Sequence, residues 1–182
     1  MFKYTYLYCL KLGLFLIIIG LIACSSGSKN QENQPVIKPK VLRESLEKVN
    51  RKLVLEEAEA IDAYTKRHGL QMIKTGTGLQ FIIISHGNGD SIRKGDVVRF
   101  KYVTKLLSGD IIYSSETAGL KQFVVGRGGV ESGLEEAVLH LKRGDAAIII
   151  LPSHLSFGLL GDQDMIPPRS TVIYEIEIIN NQ

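Results

Sequence analysis

The last third of the chain places two strand-like segments on either side of one long loop. Residues 146–151 are almost entirely aliphatic, and residues 171–179 alternate apolar and polar side chains over much of their length. The loop between them carries Phe157, Gly158 and an Ile166-Pro167-Pro168 turn, and its apolar residues follow neither a helical nor a strand period. Apolar loop residues of this kind are typical of a pocket wall, so the sequence predicts strands that flank a binding pocket.

Residues 1–23 are predicted to be a targeting segment, a signal peptide, and not part of a folded domain. Their apolar run has about the length of a signal-peptide core and is too short for a comfortable membrane span. It ends in Leu21-Ile22-Ala23-Cys24, which resembles the lipobox of bacterial lipoproteins. By that resemblance Cys24 becomes the lipidated first residue of the mature protein. The alternative is an uncleaved anchor helix with an incidental cysteine, and the polar stretch that begins at Ser25 favours the lipoprotein.

Cysteine content and charge are consistent with an envelope protein. Cys9 lies in the signal peptide and Cys24 would be acylated, so the mature protein has neither a free thiol nor a disulfide and depends on its core. Loss of Lys3 and Lys11 lowers the net charge from +3 to +1, which gives no electrostatic reason to expect nucleic-acid binding. We expect a lipid-anchored protein of the bacterial cell envelope that faces the periplasm, held through Cys24 at the outer membrane, with the inner membrane as the alternative.

Residues 24–40 are polar and contain prolines, which predicts a flexible tether, and residues 41–69 are predicted to form one amphipathic helix. Apolar side chains recur there every three or four residues, with a break at Glu56 and Glu57. This stripe can pack on the following domain or pair with a second copy of the chain. Packing on the domain is favoured because the stripe is short for a coiled coil. A homodimer through residues 42–68 is the alternative.

Residues 70–182 are predicted to form one α+β domain. A short helix begins at Ser132, where Ser132 and Glu135 have the spacing of a capping box, and it extends to about Leu141. The predicted strands cover residues 79–84, 97–107, 111–113, 123–125, 146–151 and 171–179. Together these elements predict an antiparallel sheet with one short helix across it.

Conventional catalytic groups do not stand out in the sequence. The four histidines have no ligand spacing with Cys, Asp or Glu, and no Ser-His-Asp or Cys-His set is evident, so neither a metal nor a cofactor is expected. Gly126-Arg127-Gly128-Gly129 before a helix is superficially similar to a phosphate cradle. It lacks the Lys-Ser/Thr pair of a P-loop, and Glu131 stands where a dinucleotide fingerprint has its third glycine, so nucleotide binding is not expected.

Three motifs, in order and spacing, resemble those of the FKBP-type peptidyl-prolyl cis–trans isomerases over about residues 78–180. They are residues 95–115, which include Ile112-Tyr113-Ser114-Ser115, residues 123–137, and the loop of residues 151–168. The resemblance implies a curved antiparallel sheet wrapped around one short helix, with the pocket between them. It also implies an enzyme that isomerises X-Pro bonds in polypeptides.

The resemblance carries pocket residues over position by position. Tyr102 and Phe123 match aromatic residues that line the family's pocket, and Val130 and Ile166 match positions where a backbone N–H or an apolar side chain meets the ligand. The residues expected to act in catalysis are Tyr102, Tyr113, Phe123, Val130, Leu134, Phe157, Ile166 and Tyr174. Those expected to contact the substrate are Ile112, Glu131 and Met165.

Several of these positions depart from the family pattern. Tyr113 replaces an Asp, and Phe157 replaces a Tyr whose hydroxyl bonds a ligand carbonyl, a hydrogen bond worth about 1 kcal/mol. The further departures are Leu134 for Trp, Tyr174 and Ile112 for Phe, Glu131 for Ile, and Lys121 for an aromatic residue at the rim. We therefore expect weak activity.

Prolyl isomerisation suits a site without a nucleophile or a general base. Its barrier of about 18–20 kcal/mol comes from amide resonance, and a dry apolar pocket favours the twisted amide over the planar one. The alternative is a fold that has lost its activity and serves as a non-catalytic chaperone or as an adaptor in an envelope complex. Within the family, the lipobox, the preceding helix and the Ile112–Ser115 variant are similar to the gliding-motility-associated isomerase lipoproteins, which implies a role in folding or assembly of envelope proteins.

Overall fold

The computed structural model describes residues 39–180. The predicted signal peptide, Cys24 and the tether up to residue 38 lie outside the described residues. The helices are α1 (Pro39–Arg67), α2 (Ser115–Ala118) and α3 (Ser132–Val138), with a 3₁₀ turn at Ser153–Leu155. The strands are β1 (Ile73–Lys74), β2 (Gln80–Ser85), β3 (Val97–Leu106), β4 (Ile111–Ser114), β5 (Lys121–Val124), β6 (Ala146–Leu151) and β7 (Val172–Ile178).

The strands form one antiparallel sheet in the order β1-β2-β6-β7-β3-β4, and β5 pairs with the first half of β3. Strand β3 is therefore paired along both sides, because β7 runs along one edge while β5 and β4 share the other. With α3 packed against β6 and the main core, this is the predicted α+β architecture, which is confirmed.

The main core lies between one face of the sheet and α3. Strand β3 alternates buried and exposed side chains, so Val98, Phe100 and Tyr102 point to this face and are almost inaccessible to solvent. From α3, Leu134 and Ala137 are fully buried against them. The short helix therefore fills the curve of the sheet and fixes the position of the chain on either side of it.

A second apolar cluster lies on the opposite face of the sheet, under the second half of α1. Ile61 and Tyr64 pack against Ile150 and Ile173 there, whereas the neighbours of these strand residues in sequence belong to the main core. In the first half of the helix, Leu46 and other apolar side chains are exposed. The predicted packing of the helix on the domain thus holds for its C-terminal half.

The chain divides into a unit that ends at Glu44 and a compact unit that begins at Ser45. Most of α1 belongs to the second unit, together with the whole sheet. Of the helices within residues 39–180, none combines the length and apolar character that crossing a membrane requires.

Helix α3 ends three residues before the predicted Leu141. The buried carboxylate of Asp145 accepts hydrogen bonds from the amides of Lys142 (2.8 Å) and Gly87 (2.7 Å). These bonds turn the chain towards β6, and residues 139–141 leave the helix through bonds to the carbonyl three residues earlier. Local propensity gave no indication of this tertiary contact.

Candidate functional site

A cleft of about 670 Å³ opens beside the main core, at the side of the sheet that carries α3. Strands β3, β4, β5 and β7, the turn before α3 and the loop between β6 and β7 all contribute to its walls. The lining residues are Tyr102, Tyr113, Lys121, Gly129, Val130, Glu131, Ser156, Phe157, Asp162, Asp164 and Tyr174.

The floor of the cleft is aromatic. Tyr174 pairs with Thr104 across the β3–β7 ladder, so Tyr102, two residues earlier on β3, is its diagonal neighbour on the same face. The two tyrosine rings lie 6.3 Å apart at an angle of 51°, and Phe100 packs edge-on against Tyr102 with 6.1 Å between the ring centres. Sheet register alone therefore brings together two aromatic rings that are 72 residues apart in sequence.

One wall of the cleft carries a buried polar network. The Tyr174 hydroxyl donates a 2.7 Å hydrogen bond to Glu131 Oε1, and Lys121 Nζ lies 3.4 Å from both Glu131 oxygens and 3.2 Å from the Tyr174 hydroxyl. The Glu131 side chain is only 6% exposed, so its charge is largely removed from water. Burial, and then the charge and hydrogen bond of Glu131, raise the pKa of Tyr174 far above its usual range.

Lys121 also covers the aromatic floor. Its Nζ lies 5.7 Å from the centre of the Tyr102 ring and 5.3 Å from that of Tyr174, within the range of a cation–π contact. The Lys121 side chain lines the cleft and is 30% exposed, so it is only partly removed from solvent. The family resemblance implied an apolar cup, and the structure adds a charged donor and a buried carboxylate to it.

The opposite wall is built on a loop carboxylate. The Tyr113 hydroxyl donates to Asp162 Oδ2, and Asp162 Oδ1 accepts the backbone amides of Asp164 (3.0 Å) and Ile166 (2.8 Å). The bond to Asp162 is the main reason that the pKa of Tyr113 is raised to about 12. Partial burial acts to raise the pKa of Asp162, but its three donors outweigh burial and hold that pKa below the usual value. Asp162 therefore ties the loop to β4.

The predicted capping box at α3 is wrong. Glu131 is the N-cap residue and makes no side-chain cap bond, while the Ser132 hydroxyl reaches the carbonyl of Leu155 at 3.4 Å. Glu135 instead turns to the glycine-rich loop, where one carboxylate oxygen accepts the amides of Gly126 (3.1 Å) and Gly128 (2.9 Å). The loop that is superficially similar to a phosphate cradle thus holds an anion supplied by the chain itself.

Six of the eleven predicted site residues line the cleft: Tyr102, Tyr113, Val130, Glu131, Phe157 and Tyr174. Phe123, Leu134 and Ile166 are instead buried in the main core, and Ile112 packs against it, half-buried. The amide of Ile166 is also taken by Asp162, and Met165 is half exposed. These five residues support the cleft or flank it.

The cleft residues that pattern reasoning did not select are mainly polar: Lys121, Ser156, Asp162 and Asp164. Lys121 and Glu131 carried a signal, since opposite charges at two positions where the family is apolar suggest a pair. Asp162 and Asp164 carried none, because acidic residues in a loop are ordinarily solvated. Within residues 39–180 no three His, Cys, Asp or Glu side chains gather as metal ligands would.

A match to a protein-family model shows which family the chain is related to. The family model described as FKBP-type peptidyl-prolyl cis-trans isomerase matches residues 89–179, which is half of the chain. The chain belongs to this family. The match covers every strand from β3 to β7 and the helix α3, and therefore all the elements that build the cleft.

Curated relatives agree with this assignment. The chain is 31% identical over 128 residues to the FKBP-type 22 kDa peptidyl-prolyl cis-trans isomerase of Escherichia coli, an alignment that covers 70% of this chain and 60% of that protein. It is 37% identical over 91 residues to FK506-binding protein 2 of Kluyveromyces lactis, covering 49% and 65% of the two chains. The chain thus spans less than two thirds of the length of these relatives.

Solved structures confirm the fold. AtFKBP13 superposes with a TM-score of 0.59 at 27% identity, covering 62% of this chain and 99% of that one. A peptidyl-prolyl cis-trans isomerase from Pseudomonas syringae pv. tomato superposes with a TM-score of 0.60, covering 71% and 93%, at 22% identity. The curved sheet around a short helix is therefore the family's fold.

Proposed function

We propose that the chain is a peptidyl-prolyl cis–trans isomerase that acts on X-Pro bonds of polypeptides. The observation that carries this proposal is the aromatic floor formed by Tyr102 and Tyr174, with Phe157 and Val130 beside it, in the segment that matches the family. A proline ring resting on such a surface loses water, and the less polar twisted amide gains relative to the planar one. This lowers a barrier of about 18–20 kcal/mol without a covalent step.

From the hydrogen bonds in the cleft we infer an additional role for Lys121. Phe157 has no hydroxyl, the Tyr113 hydroxyl donates to Asp162, and the Ile166 amide is held by the same carboxylate. The Lys121 ammonium has three N–H donors and three contacts, and because the two contacts with Glu131 are long, at 3.4 Å each, one of these donors can turn to a substrate carbonyl. In this proposal Lys121 orients the peptide while the aromatic floor acts on the amide. The polar wall makes the cleft less dry, so the activity is weak.

We further propose a lipoprotein of the bacterial envelope, similar to the gliding-motility-associated isomerases, which assists folding or assembly of periplasmic and outer-membrane proteins. The Leu21-Ile22-Ala23-Cys24 sequence supports lipid attachment at Cys24. The exposed apolar side chains in the first half of α1, Leu46 and Val49 among them, support a homodimer within residues 42–68. Ile61 and Tyr64 are buried in the chain's own domain, which restricts such a dimer contact to the residues before them.

A non-catalytic chaperone or adaptor is the second candidate. Leu159 and Leu160 are each 70% exposed in the loop that carries Phe157, so an apolar surface borders the cleft. Such a surface can hold an unfolded chain without isomerising it. The Lys121–Glu131 pair, whose carboxylate is buried, also favours this candidate, because it places charge where an apolar cup would serve isomerisation best.

The cis–trans exchange rate of an X-Pro peptide, measured by NMR with the full-length chain in detergent, tests the two candidates. The informative variant is Phe157→Ala, and Leu159→Ala is the matched control, since Leu159 lies in the same loop but points into solvent. Acceleration that is lost with Phe157→Ala and retained with Leu159→Ala supports the isomerase. A folded protein that gives no acceleration supports the second candidate. Acceleration that survives Phe157→Ala overturns the assignment to this cleft.

A further inference from the structure

A single carboxylate of α1 holds both ends of the loop that forms one side of the cleft. Glu57 Oε1 accepts the backbone amide of Ser153 at 2.6 Å and the hydroxyl of Thr171 at 2.8 Å, and Glu57 Oε2 accepts the Ser153 hydroxyl at 2.9 Å. Ser153 and Thr171 are both buried, so these bonds are shielded from competing water. Glu57 thus closes the base of a 17-residue segment that it does not belong to.

The helix presents Glu57 to the loop with little freedom. Glu57, Ile61 and Tyr64 are spaced by four and three residues, so they share one face of α1. Ile61 and Tyr64 are anchored on Ile150 and Ile173, which fixes the orientation of that face on the sheet. The carboxylate therefore approaches the loop from a rigid support, and the helix is held in place by apolar contacts that do not include Glu57.

The bonds continue from Glu57 into the cleft. The carbonyl of Ser153 accepts the amide of Gly158 at 2.8 Å, and the carbonyl of Gly158 accepts the amide of Arg169 at 2.9 Å. Gly158 is the residue after Phe157, which lines the cleft. A displacement of Ser153 would therefore also displace Gly158, the residue beside Phe157, because one hydrogen bond joins the backbones of Ser153 and Gly158.

We propose that Glu57 is a positioning residue for the cleft: it sets the placement of Phe157 and Asp162 by fixing both ends of their loop. This inference deepens the proposed isomerase function and, for its effect on rate, rests on it. Three donors on one ionised carboxylate give stronger bonds than three neutral pairs would. Without Glu57, the buried amide of Ser153 and the two hydroxyls lose their acceptor, and the loop relaxes to satisfy them elsewhere.

The test compares Glu57→Ala and Glu57→Gln with wild type in the full-length chain in detergent. Glu59→Ala is the matched control, because Glu59 lies two residues further on the same helix, is exposed, and changes the net charge equally. The measurements are kcat and KM for an X-Pro peptide, the thermal midpoint, and the methyl NMR signals of Ile166 and Leu155 in the loop.

With Glu57→Ala we expect kcat/KM to fall between about tenfold and a hundredfold, as for a small misplacement of a binding surface. The Ile166 and Leu155 signals should shift or broaden, while those of Ile150 and Ile173 under the helix stay in place. Glu57→Gln should recover part of the rate, because its amide oxygen can still accept from Ser153 and Thr171. Glu59→Ala should match wild type in every measurement.

Two results overturn the inference. One is a Glu57→Ala protein whose kcat/KM and loop signals equal those of the Glu59→Ala control. The other is a rate loss that is fully explained by the unfolded fraction, with unchanged loop signals in the folded fraction. If wild type itself fails to accelerate exchange, the proposed function fails separately. The loop signals then decide the placement role alone, and a shift confined to the loop supports it.

Discussion

Tyr174 and Glu131 are joined by a 2.7 Å hydrogen bond on one wall of the cleft, and Lys121 lies within 3.4 Å of both. The family resemblance places apolar or aromatic side chains at all three positions. In this chain the three departures form one network, so each is compensated by the others. A substitution at any one of the three should therefore have a different effect from a substitution at all of them.

Glu131→Ile is expected to lower the free energy of unfolding by about 1–3 kcal/mol, because it leaves the Tyr174 hydroxyl buried without its acceptor and Lys121 without its partner. Urea unfolding followed by circular dichroism measures this. The control is Glu177→Ile, which breaks the exposed pair of Lys101 and Glu177 and should change stability by less than about 1 kcal/mol. Equal effects at the two sites would contradict a buried network at Glu131.

The triple variant Lys121→Phe, Glu131→Ile, Tyr174→Phe is expected to raise the isomerisation rate. It removes the network as a unit, and we expect the gain from an apolar wall, which favours the twisted amide, to outweigh the loss of the Lys121 donor. The peptide exchange rate at a fixed protein concentration measures the gain. A rate below that of wild type in a well-folded triple variant would contradict this prediction. It would show that the Lys121 ammonium raises the isomerisation rate as a hydrogen-bond donor by more than its charge lowers that rate.

Phe157→Tyr is expected to raise kcat/KM by about fivefold, the equivalent of one hydrogen bond of about 1 kcal/mol. Phe157 lines the cleft, so a hydroxyl on its ring can reach a bound peptide without displacing the floor. The gain should appear in peptide exchange and should be absent from the thermal midpoint. An unchanged kcat/KM would mean that the ring does not face the reacting amide in this chain.

The long strands could be predicted because their residues largely alternate between apolar and polar side chains, a pattern that is visible in the local sequence. Val98, Phe100 and Tyr102 alternate with exposed residues along β3, and this period is enough to assign a half-buried strand. The aromatic floor was also accessible, since Tyr102 and Tyr174 match pocket positions of the family. The sequence could not distinguish residues that line the cleft from residues that support it: Phe123 and Leu134 match pocket positions but are buried in the core and do not line the cleft.

The contacts that could not be predicted join residues far apart in sequence. Tyr113 and Asp162 are 49 residues apart, and Glu57 and Thr171 are 114 apart. No local period encodes which loop folds back onto which strand. Glu57 did carry a signal, because it interrupts the apolar stripe of α1 on the face that Ile61 and Tyr64 bury. A charged residue on a buried face requires a polar partner, although the sequence does not name that partner.

Tyr113→Phe is expected to change how stability depends on pH at the alkaline end. The hydrogen bond to Asp162 raises the pKa of Tyr113 from 10.0 to about 12, so the folded state favours the protonated hydroxyl. This contribution is fully present below pH 10 and is lost as the pH rises through about 12. The difference in unfolding free energy between wild type and Tyr113→Phe should therefore be constant from pH 7 to about 9 and shrink above pH 10. A constant difference up to pH 12 would contradict the bond.

Gly161→Ala is expected to disrupt the loop around Asp162. A Cβ at residue 161 would lie 2.1 Å from the carbonyl oxygen of Ile166, and the φ of +69° is already unfavourable for alanine. The obstructing atoms belong to the backbone, and the amide of Asp162 donates to that same oxygen, so the turn cannot open without displacing Asp162. We expect a loss of about 1–3 kcal/mol in unfolding free energy, together with a shift of the Ile166 amide signal in NMR.

Gly158→Ala is the matched control for this substitution. It has a similar φ of +65° in the same loop, but nothing lies within 4 Å of its added Cβ. It should therefore show the backbone strain alone, about 1 kcal/mol, and leave the Ile166 amide signal in place. Equal effects of the two substitutions would mean that φ strain dominates and that the close approach of residues 161 and 166 does not hold Asp162 in position.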